Sequence, residues 1–248
     1  MDSLVEQGYY PYSYAPTKVF LEKPSLRELV AKARELIAPI RFRLAARDIT
    51  RELEIKENSK ILELGSGLGL LGEAIKSETG GDISYFGVEL FLTSAKQGSD
   101  RGLISIQTDL QKLPFADGSF DYIVTTDVLE HVNDSETAAK EMFRVLKSGG
   151  KAFVVIADPS EARFDFVEGH IKRSNENSDV SYWENLFMKV GFEVKPENSE
   201  KYRRRDWRRI FNLPFLVKLK NKPGFACAFN PINRPGVYIL EKPISKTN

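Results

Sequence analysis

From residue 60 to 157, short apolar runs alternate with segments of helical periodicity, and this alternation limits the possible folds more than any other feature of the chain. The runs cover residues 61–64, 83–89, 103–107, 121–126 and 152–157. Between them, residues 70–76 begin a helix. Residues 133–147 form another, with Ala138, Met142 and Leu146 on one face. Asn133 is expected to cap that helix, with Glu136 at its third position and Gly149 past its end. Strands that are short and apolar on both sides are buried on both faces. Their alternation with helices builds a parallel sheet covered on each side. The stretch between Glu89 and Leu103 is short, so the helix there is expected to be truncated. Further along, Val180–Val190 reads as a helix running through Gly191 into a strand at 192–194, and Val237–Glu241 reads as a last strand.

The rest of the chain is organised around that core. The first ~20 residues carry Tyr9, Tyr10, Tyr12 and Tyr14 among Pro11 and Pro16, which disfavour helix. These tyrosines read as a disordered arm, as packing against the core, or as an aromatic lid over the acceptor. Ser25-Leu26-Arg27-Glu28 is a capping box opening an amphipathic helix that Pro39 interrupts, and a second helix is expected over 40–53. The expected division is an N-terminal arm and helical cap at 1–58 and a core at 59–248 with an insertion at about 198–235. The fold class is therefore α/β: a Rossmann-like, mostly parallel seven-stranded sheet with helices on both faces and an N-terminal helical cap.

The chemistry concentrates where the strands end. Ile61-Leu62-Glu63-Leu64-Gly65-Ser66-Gly67-Leu68-Gly69 is a buried strand running through an acidic residue into a glycine-rich turn. A dinucleotide site takes Gly-x-Gly-x-x-Gly and lays a pyrophosphate on the helix N-terminus. Here Gly69 falls one place early and Leu70 occupies the third glycine's position. Glu63 would repel a pyrophosphate but attract an ammonium or sulfonium. Glu89 closes the next strand, where a carboxylate can accept from a ribose diol. Asp109 follows the third strand and can accept from an adenine amino group, while Leu110 can pack on the ring. The run Leu113-Pro114-Phe115-Ala116-Asp117-Gly118-Ser119-Phe120-Asp121 leads on to Asp127-Val128-Leu129-Glu130-His131-Val132.

In this order these motifs resemble the class I S-adenosylmethionine-dependent methyltransferases, over roughly residues 58–195. The nearest likeness is to the branch holding ubiquinone and menaquinone C-methyltransferases and small-molecule O-methyltransferases. The resemblance implies that S-adenosylmethionine is the cofactor and that Glu63, Gly65 and Gly67 line its methionine end, with Ser66 among them. Glu89 would hold the ribose beside Leu90, Asp109 and Leu110 the adenine, and Thr126 and Asp127 the edge near the reacting methyl. It implies a methyl group moved to an O, C or N atom of a small-molecule acceptor. Other readings are a methyltransferase acting on RNA or protein, a non-catalytic protein of the same fold, and a nicotinamide-dependent oxidoreductase. Leu70 and Glu63 weigh against the last.

The chain's only two histidines, His131 and His170, follow the fourth and fifth strands. Ligands of open α/β sheets bind outside the carboxyl ends of strands, so either could serve as a general base. Either could equally order its loop. The stretch Lys201-Tyr202-Arg203-Arg204-Arg205-Asp206-Trp207-Arg208-Arg209 reads as a solvated face, or as a grip on an anionic acceptor, a phospholipid surface or RNA. Lys and Arg number 36 against 35 Asp and Glu, a net charge of +1, so there is no global pull toward nucleic acid. The single cysteine, Cys227, makes an internal disulfide impossible, and no metal site is expected. No apolar run approaches the ~20 residues of a membrane span, and the start lacks a secretory pattern, so a cytoplasmic location is expected.

Overall fold

The computed structural model describes residues 39–40, 42–156, 180–195 and 236–244. The tyrosine-rich arm, the helix expected at Ser25, His170, the Lys201–Arg209 stretch and the insertion at about 198–235 lie outside the described residues. The elements in chain order are helix α1 (42–53), β1 (Lys60–Leu64), α2 (Leu70–Glu78), β2 (Ser84–Glu89), α3 (Leu92–Asp100), β3 (Ile104–Gln107), β4 (Phe120–Thr126), a 3-10 turn (Leu129–His131), α4 (Ser135–Val145), β5 (Leu146–Val155), α5 (Val180–Val190), β6 (Glu193–Val194) and β7 (Val237–Glu241).

The seven strands form one sheet in the order β3-β2-β1-β4-β5-β7-β6. β1 pairs in parallel with β2 and β4, β3 with β2, and β5 with β4. β7 is antiparallel to both of its neighbours, β5 and β6. The dinucleotide-binding order 3-2-1-4-5-6 is thus kept, with one reversed strand slotted in. The strand order reverses between β1 and β4, and open sheets bind ligands outside the carboxyl ends of the strands at such a switch point.

Strand period two sorts the core into two layers. Leu62, Leu64, Ile123, Ala152, Val154 and Leu240 face α4 and α5, which bring Ala138, Met142, Val145, Trp183 and Phe187. Ile61, Tyr85, Val124, Phe153 and Ile239 face α1 and α2, which bring Ala45, Ala46, Ile49, Leu53, Leu71 and Ile75. α1 therefore packs directly on the sheet. α3, only nine residues long, lies beside β2 and β3, matching the truncated helix expected there.

Two expectations at α4 are corrected. The cap is Asp134, not Asn133: its Oδ1 accepts from the Thr137 amide at 2.9 Å and its Oδ2 from the Thr137 hydroxyl at 2.6 Å. Thr137 occupies the third helical position from Asp134, where an N-cap oxygen reaches. The helix also ends early, at Val145, and Leu146 is already extended. Lys242 Nζ donates to the carbonyls of Phe143 and Leu146 at 2.8 Å each, closing that end. β5 starts accordingly sooner than expected, and its register with β4 jumps between Phe120–Leu146 and Tyr122–Lys151. The bulge contains Gly149 at φ +76°.

Candidate functional site: the crevice at the carboxyl ends of β1, β2 and β4

β1 runs straight into the glycine turn. At Gly65 the backbone takes φ +66°, and a Cβ there would lie 2.4 Å from Val128 Cγ2. The turn after β1 and the turn after β4 are therefore pressed together at a point only glycine can occupy. Gly67 differs: its φ is also positive, yet a Cβ would meet nothing within 4 Å. Its Cα faces open space, and its amide donates to Glu89 Oε2 at 2.9 Å. Between them Ser66 is buried, its amide bonded to Val88 O at 3.0 Å. Its hydroxyl has no hydrogen-bond partner, which is costly for a buried group unless a ligand or water supplies one.

Glu89, half-buried at the end of β2, ties the crevice together. Besides Gly67, it accepts from the amides of Leu90 and Phe91 at 2.9 and 3.3 Å through Oε1. An ionised carboxylate offers about four acceptor sites, so capacity remains for a hydroxyl. The Leu90 carbonyl accepts from Gln107 Nε2 at 3.0 Å, and the Thr108 amide donates to Glu89 O at 3.0 Å. These bonds carry the Asp109 turn next to Glu89. Asp109 is exposed and accepts from the Gln111 amide at 2.9 Å, an Asx-turn. Leu110 is buried in the layer facing α4, packed inward.

Glu63 sits one step before the turn, 3% exposed. Tyr85 OH donates to its Oε2 at 3.1 Å. Burial raises its pKa from the ordinary 4.5 to about 8; the Tyr85 bond pulls it down and the negative charge of Glu89 adds to the rise. Burial thus favours the neutral carboxyl at Glu63 over the carboxylate expected from sequence. Tyr85 itself is pushed well above its usual range, mainly by burial.

Across the switch point, β4 ends at Thr126 and Asp127 takes φ +55°. Asp tolerates that region better than most residues, and such backbone clusters at functional sites. The Asp127 amide donates to Val155 O at 2.9 Å, fixing the turn to β5. His131 ends the 3-10 turn, half-buried, its amide bonded to Val128 O at 2.9 Å. The structure thus gathers Glu63, Gly65, Ser66, Gly67, Glu89, Leu90, Asp109, Thr126, Asp127 and His131 along one edge of the sheet. Among the described residues no group of three or more His, Cys, Asp or Glu side chains is placed to hold a metal.

Sequence reasoning missed Tyr85 and Val128. Tyr85, Gly87 and Glu89 alternate along β2, so period two already placed Tyr85 on the Glu89 face. Val128 had no local signal, since its contact with Gly65 exists only once β1 and β4 are neighbours.

Residues 62–154 match the family model described as a methyltransferase domain. The chain is 32% identical over 110 residues to the ubiquinone/menaquinone biosynthesis C-methyltransferase UbiE of Xylella fastidiosa strain M12, covering 41% of this chain and 44% of that protein. It therefore spans less than half the length of that relative. The protein solved in complex with the Haloferax volcanii Trm112 methyltransferase activator superposes with a TM-score of 0.59 at 15% identity, covering 86% of this chain and 94% of that one. A Methanococcus maripaludis protein described as an S-adenosyl-L-methionine-dependent methyltransferase superposes with a TM-score of 0.55 at 18% identity, covering 87% and 92%. At such identities the superpositions speak to the fold. The matched stretch runs from β1 into β5, so it contains the glycine turn, Glu89, Asp109, Asp127 and His131. Among the described residues, no helix is long and apolar enough to cross a membrane.

Proposed function

We propose that the chain is an S-adenosylmethionine-dependent methyltransferase acting on a small-molecule acceptor, and that the crevice between the β1 and β4 turns is its active site. The observation that carries this reading is the pairing of Gly67 with Glu89. The Gly67 amide is bound by the carboxylate while its Cα faces open space, so a nucleoside can lie against the backbone with a ribose hydroxyl on Glu89. The buried, unpartnered Ser66 hydroxyl beside it fits a ligand that brings a polar atom.

When bound, S-adenosylmethionine supplies a methyl group already activated by its sulfonium. The chain's own part is to position, to exclude water and to manage charge. Glu63, Gly65, Ser66 and Gly67 would hold the methionine end, Glu89 and Leu90 the ribose, and Asp109 and Leu110 the base. Thr126 and Asp127 would edge the reacting end. A cation placed beside Glu63 would favour its carboxylate over the neutral form, because opposite charge stabilises the ionised group. His131, on the acceptor side, is the candidate base within the described residues, and His170 is the second. The UbiE likeness favours a carbon acceptor, within an oxygen, carbon or nitrogen range.

Calorimetry with S-adenosylhomocysteine and with NAD tests the reading; binding of the first without the second supports it, and the reverse ends it. His131→Ala, assayed for methyl transfer at saturating cofactor, is expected to lose about 100-fold or more in rate. An unchanged rate removes His131 as the base.

A further inference from the structure

The crossover from β3 to β4, residues 108–119, carries the chain from one edge of the sheet to its middle without a helix. Its apolar side chains bury well enough: Leu110 and Leu113 enter the core, and Phe115 meets Phe120 edge-on at 4.8 Å and Phe86 at 6.1 Å. Its backbone has no ladder or helix to satisfy it, so its polar groups must find partners elsewhere. Two side chains of α4 supply them. Glu141 Oε2 accepts from the Leu113 amide at 2.8 Å. Arg144 Nη2 donates to Leu113 O at 3.1 Å, and Nη1 donates to Phe115 O at 2.7 Å and to Asp117 Oδ1 at 2.8 Å. The Gly118 amide donates back to Arg144 O at 2.9 Å.

The two side chains also lock each other. Arg144 Nε and Nη2 donate to Glu141 Oε1 and Oε2 at 2.7 and 2.8 Å, a two-pronged pairing that fixes both planes. The pair is largely sheltered, with 30% and 19% of the side chains exposed. A lysine could offer charge but not this fork. The crossover is thus pinned at Leu113–Gly118 by α4 and hooked at its start by Thr108 on Glu89 O. Asp109 lies between those two anchors, in a turn closed by Lys112 N on Asp109 O at 3.1 Å and by Thr108 Oγ1 on Lys112 O at 3.1 Å.

We propose that Glu141 and Arg144 are positioning residues for the nucleoside base: from α4 they clamp the β3–β4 crossover so that the Asp109 turn presents its carboxylate to the adenine amino group. This rests on the cofactor reading above. They touch no ligand; they act through the backbone of residues 113–118. A loosened crossover lets Asp109 drift, and selectivity for the base falls before the fold does.

The probe pair is S-adenosylhomocysteine and its 6-oxo analogue, S-inosylhomocysteine, which replaces the amino donor with an acceptor. The intact protein is expected to prefer the adenine form by about tenfold or more, since a mismatched base leaves the carboxylate facing a carbonyl. In Arg144→Lys that preference is expected to shrink to about threefold or less. Glu141→Gln gives a second, milder variant and decides the matter if Arg144→Lys does not fold. Equal weakening of both ligands, or an unchanged preference, assigns the pair a purely structural role and overturns the proposal. Equal binding of both ligands by the intact protein also overturns it while leaving the methyltransferase reading standing. An intact protein that binds neither nucleoside defeats that reading itself.

Discussion

Glu63 shows how one carboxyl can be both a structural cost and a chemical resource. Its pKa of about 8 in the folded chain, against 4.5 ordinarily, means the folded state holds a proton that the unfolded state releases. The sign follows by linkage: relative to this group, folding is most favoured below pH 4.5, loses ground as pH rises to about 8, and is constant above. Glu63→Gln removes that slope. The variant is expected to melt higher than the parent at pH 9, by a stability difference of a few kcal/mol, with the gap closing near pH 5. A thermal scan at both pH values checks it; equal shifts at the two values would show that burial of the charge is not the cause. The Glu63–Tyr85 contact was half legible beforehand. Residue 63 stood out as acidic at a strand end, but its protonation needed the burial and the phenol that only packing supplies.

At the scale of elements, the strands were legible because they are apolar on both faces, and a run such as 121–126 has few alternatives. Ends were less so. Asn133 and Asp134 are both good caps, and only the reach of Asp134 to Thr137 chooses between them. Replacing Asp134 with Ala is expected to cost about 1 kcal/mol, read as a lower denaturant midpoint. The early exit from α4 into β5 was hidden because Lys242, far along the chain, caps it. The β3–β4 crossover was visible as a Pro- and Gly-bearing run, but its clamp was not. Glu141 and Arg144, three apart on a helix, look like an ordinary surface pair until the loop is laid over them.

Across the whole molecule, the two core layers differ in how they are sealed. The layer under α5 centres on Phe187, fully buried against Trp183, Phe192 and Tyr238, the last two rings at 6.3 and 5.5 Å. Phe187→Ala is expected to cost about 3–5 kcal/mol, seen as a large drop in melting temperature. A change below about 1 kcal/mol would mean α5 is not integral to the core. The seven-strand count and the faces of the sheet were legible from the pattern of runs, while the antiparallel insertion of β7 was not, since nothing in Val237–Glu241 encodes its direction. That insertion has a consequence for biogenesis. Among the described strands β7 comes last in the chain yet sits between β5 and β6, so a nascent chain lacks the strand that pairs with Phe153, Val154 and Val155 until residues 237–241 emerge. Such a flank is a template for pairing with other chains. Ribosome-bound intermediates stalled before residue 237 should therefore be clients of holding chaperones, released only when β7 slides into its slot.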